Sequence, residues 1–293
     1  MIHSISNGIL KIDISEKGAE LFSIKKLSDN CEYLWQGDDK HWEDRSPIMF
    51  PICSSVFEKK YTYRGKEYEM GLHGFAQACT FEANQISDTE ISFTLHSCEE
   101  TKKIYPFDFE FKVTYKLDAN KLTVKADIKN TGDNTLHAAF GAHPGFNVPL
   151  DGKSAFESYY LEFSDPSVPE KIILSPECAV TGETEPLMLE DKKILRLRHD
   201  LFSPDGIFMS GMPKQVTLRS ETDTRSVTVK YDDMSYLGIW QEYGNDTPFI
   251  CIEPWCAPPT NDGKTREDIE TKKGLFAIPT GNSKSVSYSI EIN

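Results

Sequence analysis

Between Phe107 and Ile128 the chain alternates with a period of two. Phe107, Phe109, Phe111, Val113, Tyr115 and Leu117 fall on one face, and Asp108, Glu110, Lys112, Thr114 and Lys116 on the other. A polar turn, Asp118-Ala119-Asn120-Lys121, follows, and then Leu122, Val124, Ala126 and Ile128 repeat the pattern. A helix repeats every 3.6 residues and cannot keep such a set on one side, whereas an antiparallel hairpin with one dry and one wet face does. The same alternation recurs at Ile91-Phe93-Leu95, Tyr159-Leu161-Phe163, Val216-Leu218, Val227-Val229-Tyr231 and Val286-Tyr288-Ile290-Ile292. Tyr61 to Tyr68 reads as a short hairpin turning at Arg64-Gly65.

Helical periodicity is scarce. Residues 262–273 are polar and end before Gly274, which allows a short surface helix or a loop. Residues 40–56 carry aromatics and prolines without alternation and read as an ordered loop. No internal repeat and no low-complexity linker interrupts the chain. The expectation is one all-β domain over residues 1–293, built of large antiparallel sheets packed face to face.

The formal charge of −14 argues against nucleic acid or an anionic membrane as partner, because both reward a basic face. No apolar run reaches the roughly 20 residues that span a bilayer. The first residues lack the basic start and long apolar stretch of a secretory signal. Seven cysteines (Cys31, Cys53, Cys79, Cys98, Cys178, Cys251 and Cys256) are odd in number and form no C-x-x-C pair. Several sit in apolar strands, which suits reduced thiols and a cytoplasmic location.

Chemistry concentrates at strand ends. In the stretch L-H-A-A-F-G-A-H-P-G-F-N-V, residues 136–148, the alternation breaks at Gly141 and at Pro144-Gly145 and leaves His143 at the break. Pro144 holds His143 extended on a stiff turn, where an imidazole serves as a general acid or base. His137, within the alternating part, reads as structural. His73 occupies a second glycine-flanked break, Gly71-Leu72-His73-Gly74-Phe75. Glu253 ends the apolar run 249–252, with Pro254 fixing the exit. A carboxyl leaving a buried strand must be paired or have a raised pKa, and either condition suits a general base. Trp255 beside it offers a face for a sugar. Asp205 lies in a Pro-Asp-Gly turn and Arg45 in a proline-rich loop. Nucleophile-elbow, phosphate-loop and dinucleotide fingerprints are absent.

Taken in order, H-G-F-A at 73–76, H-P-G-F-N at 143–147, L-F-S-P-D at 201–205 and I-E-P-W at 252–255 resemble the aldose 1-epimerase (galactose mutarotase) family. K-G-A-E-L at 17–21 and R-S-P-I-M-F-P at 45–51 are similar to its LacX-type branch, so the resemblance covers nearly the whole chain. It implies a β-supersandwich and a cofactor-independent isomerase acting on a small aldose. It further implies His143 as the acid that protonates the ring oxygen and Glu253 as the base that takes the C1 hydroxyl proton. His73 falls on a substrate-orienting position, Asp205 on a sugar-hydroxyl ligand and Arg45 near the start of the active-site loop. Related sequences often continue H-G-F-A-R, and the hexose-6-phosphate branch uses that arginine on phosphate. Here Gln77 stands in its place, which removes a cation and disfavours a hexose-6-phosphate 1-epimerase. A non-catalytic carbohydrate-binding protein on the same fold is a further alternative, as is a His₂Glu metal site of His73, His143 and Glu253. The usual histidine spacings for metal are missing, so no metal is expected. A monomer or a homodimer is expected.

Overall fold

The computed structural model describes residues 1–175, 180–203, 205–242, 246–259 and 264–293. Its central hairpin joins strands Phe109–Asp118 and Lys121–Asn130, with Phe111 opposite Ile128 and Tyr115 opposite Val124. The two-residue loop holds Ala119 at φ +51°. Phe111, Val113, Leu122, Val124 and Ile128 are fully buried, while the side chains between them alternate outward. Each buried side chain of this size contributes about 1.5–3 kcal/mol. The strand begins at Phe109 rather than Phe107. Pro106 precedes it without a donor for a ladder, and Phe107 is buried instead against Tyr63 and Tyr105, at 4.7 Å from each ring.

Around this hairpin lies a nine-stranded antiparallel sheet. Its order is Ile194–Arg196, Tyr159–Phe163, Gln215–Ser220, Val227–Lys230, Ser283–Ile292, Lys121–Asn130, Phe109–Asp118, Glu90–His96 and Glu82–Ser87. The alternating segments picked out in the sequence are therefore its members. A second sheet of eight strands is centred on Ile207–Ser210, Tyr236–Trp240 and Phe249–Trp255. Phe50, just past the Ile48–Met49 strand of the second sheet, stacks on Phe111 of the first at 4.2 Å, and one connected core runs from Ile5 to Ile292.

The Lys60–Tyr63 and Lys66–Glu69 hairpin turns at Arg64 and Gly65, both at positive φ, as a tight hairpin requires. Residues 264–273 form turns with no helix; of the polar segment assigned there, residues 262 and 263 lie outside the described residues. Nor are all its charges at the surface. Glu267 and Lys272 are buried and pair at 3.0 Å. Pro204 and Cys178 also lie outside the described residues; the six described cysteines are free thiols. Among the described residues no helix is long and apolar enough to cross a membrane.

Candidate active site

The Phe249–Trp255 strand organises the site. It is buried along its whole length, and two short strands, Gly141–Ala142 and Gly145–Asn147, pair with it. Gly141 lies opposite Trp255 and Gly145 opposite Cys251, so the register sets His143 across from Glu253. Glycine is needed at the first of these pairs: a Cβ on Gly141 would lie 2.8 Å from the Cys53 sulfur and 3.1 Å from the Trp255 ring. His143 Nε2 sits 3.3 Å from Glu253 Oε2, with both side chains buried.

Period two then sorts the strand. Ile250 and Ile252 enter the main core, while Phe249 and Cys251 join a small cluster with Trp35 on the side of the site. Glu253 and Trp255 face a cavity of about 300 Å³. That volume is at the small end of ligand cavities, about 300–1,000 Å³, and matches a single ring better than an oligosaccharide. His73, Gln77, His143 and Asp205 line it as well.

Burial pushes the Glu253 carboxyl well above the usual carboxylate range, and the nearby Asp205 charge adds to the rise. The Trp255 indole opposes this weakly, but makes no well-formed hydrogen bond to the carboxylate. Burial pushes His143 well below an ordinary histidine, and the neighbouring His73 adds to the fall. Both members of the pair are therefore held towards their neutral forms, one proton between them.

His73 is held by its backbone. Its N–H donates to Ser54 O at 2.6 Å, and its carbonyl accepts from Phe50 N at 3.2 Å. It adopts φ +61°, and Gly74 follows at φ +80°, where a Cβ would come within 2.1 Å of Phe50 O. The ring meets His143 edge-on at 5.4 Å. Its Nδ1 accepts the Ser54 N–H at 3.1 Å, which assigns the proton to Nε2. Burial lowers its pKa to about 4, so near neutral pH it is an uncharged donor.

Two of the residues singled out in the sequence sit differently from the expectation. One face of the Trp255 ring is taken by Phe208, stacked at 5.0 Å, and the residue is only 1% exposed. Arg45 does not line the cavity. Its guanidinium lies over the Phe22 ring at 4.4 Å, in an adjoining groove that also holds Lys17 and Glu20. Asp44, Pro47 and Gln77 border both spaces. The aromatic wall comes from residues not singled out in the sequence. Trp42 packs on His143 at 5.0 Å and on Phe249 at 5.5 Å, and Trp240 meets His143 at 5.5 Å. Both indoles are partly exposed and line the cavity. Trp240 had a signal in the sequence, since it ends an alternating strand; Trp42 sits in an irregular loop and had none.

Among the described residues, one trio could hold a metal: His143, Cys251 and Glu253, whose donor atoms lie within 4.8 Å of one another. His73 is not in it, so the His73, His143 and Glu253 donor set weighed from the sequence is not the one the fold assembles.

Comparison with known proteins agrees with this architecture. The family model for aldose 1-epimerase matches residues 1–267. The plasmid-encoded protein LacX of Lactococcus lactis subsp. lactis is 32% identical, covering 100% of this chain and 99% of its own. A galactose mutarotase related enzyme from Lactobacillus acidophilus superposes with a TM-score of 0.95 at 31% identity, over 100% of this chain and 97% of that one. A galactose mutarotase-like protein from Lactobacillus casei gives 0.94 at 31% identity, with both chains fully covered.

Proposed function

Since the chain belongs to the aldose 1-epimerase family, with a galactose mutarotase-like β-supersandwich, we propose that it interconverts the α and β anomers of a free hexose. Glu253 takes the proton of the C1 hydroxyl and His143 delivers one to the ring oxygen. The ring opens to the aldehyde, the C1–C2 bond rotates, and the same two groups return the protons as it closes. The observation that carries this reading is the 3.3 Å approach of His143 Nε2 to Glu253 Oε2 at the cavity wall.

The proton count supports it. Opening starts from carboxylate and imidazolium and ends with carboxylic acid and neutral imidazole. Burial favours the second arrangement, which is also that of the resting pair, so a proton must first pass from Glu253 to His143 when substrate binds. Opening then returns the pair to its neutral form, and closure restores the charged pair. One proton serves the whole cycle, and the chemistry calls for neither metal nor coenzyme. His73, neutral with hydrogen on Nε2, donates to an oxygen of the sugar. Asp205 accepts from a hydroxyl, and Trp42 and Trp240 cover the apolar face of the ring.

The direct test is polarimetry on freshly dissolved α-glucose and α-galactose, where anomer exchange should exceed the buffer rate in proportion to enzyme. Sugar binding in calorimetry with exchange at the buffer rate would instead indicate a carbohydrate-binding protein. A second reading draws on the adjoining groove, where Lys17 and Arg45 have no carboxylate partner among the described ion pairs. Glu20 and Asp44 line the same groove and offset those two cations, so only a faster rate on glucose 6-phosphate than on glucose would select a hexose with an anionic substituent.

A further inference from the structure

We propose that His143, Cys251 and Glu253 form a binding site for a zinc-class divalent cation at the inner wall of the cavity, and that its occupation inhibits the enzyme. Cys251 and Glu253 project from the same face of the Phe249–Trp255 strand, and the register brings His143 across to them. Their donor atoms lie within 4.8 Å of one another, and all three residues are buried. Neither Glu253 oxygen receives a well-formed hydrogen bond, and His143 Nδ1 likewise has no partner. The Trp255 indole N–H beside them is also unpartnered, but one donor cannot satisfy both carboxyl oxygens, and a cation relieves the remainder.

The donor set determines which cation. One imidazole, one thiolate and one carboxylate form a borderline-soft set, which selects zinc-class ions over magnesium or calcium. Donor atoms on a tetrahedral zinc, with bonds of about 2.0–2.3 Å, stand closer together than 4.8 Å, so each side chain must move by about an ångström or less. His143 and Glu253 line the cavity whereas Cys251 does not, so the ion enters from the cavity and the thiol receives it from behind. The fourth position then faces the cavity, open to water or a sugar hydroxyl.

Binding has a definite proton balance. The Cys251 thiol loses its proton, and the His143–Glu253 pair loses the one it shares. About two protons leave for each ion bound, and affinity falls as pH falls. Only the inhibitory half of the proposal rests on the acid–base function proposed above. The site itself can be read without activity.

Cobalt(II) titration is the test, because a cobalt–thiolate bond gives an intense near-ultraviolet charge-transfer band. Wild-type protein should develop that band at one ion per chain, and zinc should abolish it. Cys251→Ser should lose the band and weaken zinc binding on the order of 10-fold or more, and zinc at concentrations that inhibit the wild type should no longer lower its rate of anomer exchange. Cys98→Ser, at the exposed thiol, should keep the band. Absence of a stoichiometric band in the wild type overturns the proposal, as does its persistence in Cys251→Ser. Should Cys251→Ser fail to fold, His143→Gln decides: the band must weaken markedly there. A bound, thiolate-ligated ion in a protein with no measurable anomer exchange leaves the site standing and removes the proposed function.

Discussion

His143 and Glu253 face each other across two paired strands and meet at 3.3 Å, although 109 residues of chain separate them. Each is among the few ionisable side chains that are almost fully buried, and each is pushed towards its uncharged form. Two groups so placed exchange a proton at little cost, and a substrate oxygen inserted between them joins the exchange. Glu253→Gln and His143→Asn keep size and polarity but remove proton transfer. Each should lower turnover by about 10²–10⁴ with the circular dichroism unchanged. A wild-type rate in either variant, followed by polarimetry, rules out the assignment.

The fold was readable because its signal is local. Alternation in residues 109–130 assigns strand, face and turn with no knowledge of the partner strand, and the register follows it. Half of the site was readable for the same reason. His143 follows a short strand at Pro144, where the chain leaves the ladder and presents a side chain. Glu253, expected at a strand end, instead lies within the Phe249–Trp255 strand, which runs on through Pro254 to pair Trp255 with Tyr236. Trp42 was not readable, since its place depends on how residues 40–47 lie over Phe249 and His143. Arg45 shows the converse. Its motif pointed to the sugar site, but Glu20 captures the Arg45 and Ser46 backbone N–H groups at 2.8 and 3.0 Å, and the guanidinium packs on Phe22.

Asp205 acts on Glu253 through charge, raising its pKa beyond what burial alone does. Asp205→Asn removes that repulsion and so lowers the Glu253 pKa. If Glu253 must be ionised to act, the acid limb of the kcat/KM profile should shift to lower pH. KM should rise as well, because a sugar-hydroxyl acceptor becomes weaker. An unmoved acid limb separates Asp205 from the carboxylate's titration.

Trp240 lines the cavity without donating or accepting a proton in the proposed reaction. Trp240→Ala removes a stacking face worth about 0.5–1.5 kcal/mol beyond its area, and KM should rise roughly 2- to 10-fold. Turnover should fall much less than in the Glu253 variant. Equal losses in kcat would mean that its edge-on contact with His143, at 5.5 Å, is what matters.

Gly74 is constrained from two sides. Its φ of +80° disfavours any side chain, and a Cβ would press to 2.1 Å from Phe50 O. Gly74→Ala should therefore destabilise the protein by about 1–3 kcal/mol and displace His73, lowering turnover along with the denaturation midpoint. A stable and active Gly74→Ala protein contradicts the backbone geometry at this turn.

His73 links the site to the stability of the fold. Its pKa falls from the ordinary value of 6.5 to about 4 because burial penalises the imidazolium. Between those two values the unfolded chain binds a proton that the folded chain does not. Stability must then rise with pH across that window. The contribution is complete above pH 6.5 and is lost as pH falls towards about 4, below which both states carry the proton. His73→Gln has no such titration. Denaturant unfolding at pH 7 and at about pH 4.5 should show the wild type losing roughly 2 kcal/mol more than the variant between the two. His143 titrates in the same direction, but it is present in both proteins and cancels in the difference unless its coupling to His73 is large. Glutamine keeps an N–H donor but on a more flexible side chain, so KM should rise only modestly at pH 7, where the stability difference is smallest. Parallel loss of stability in both proteins on acidification would mean that His73 takes up its proton as readily in the fold as in the unfolded chain, and the lowered pKa attributed to burial fails.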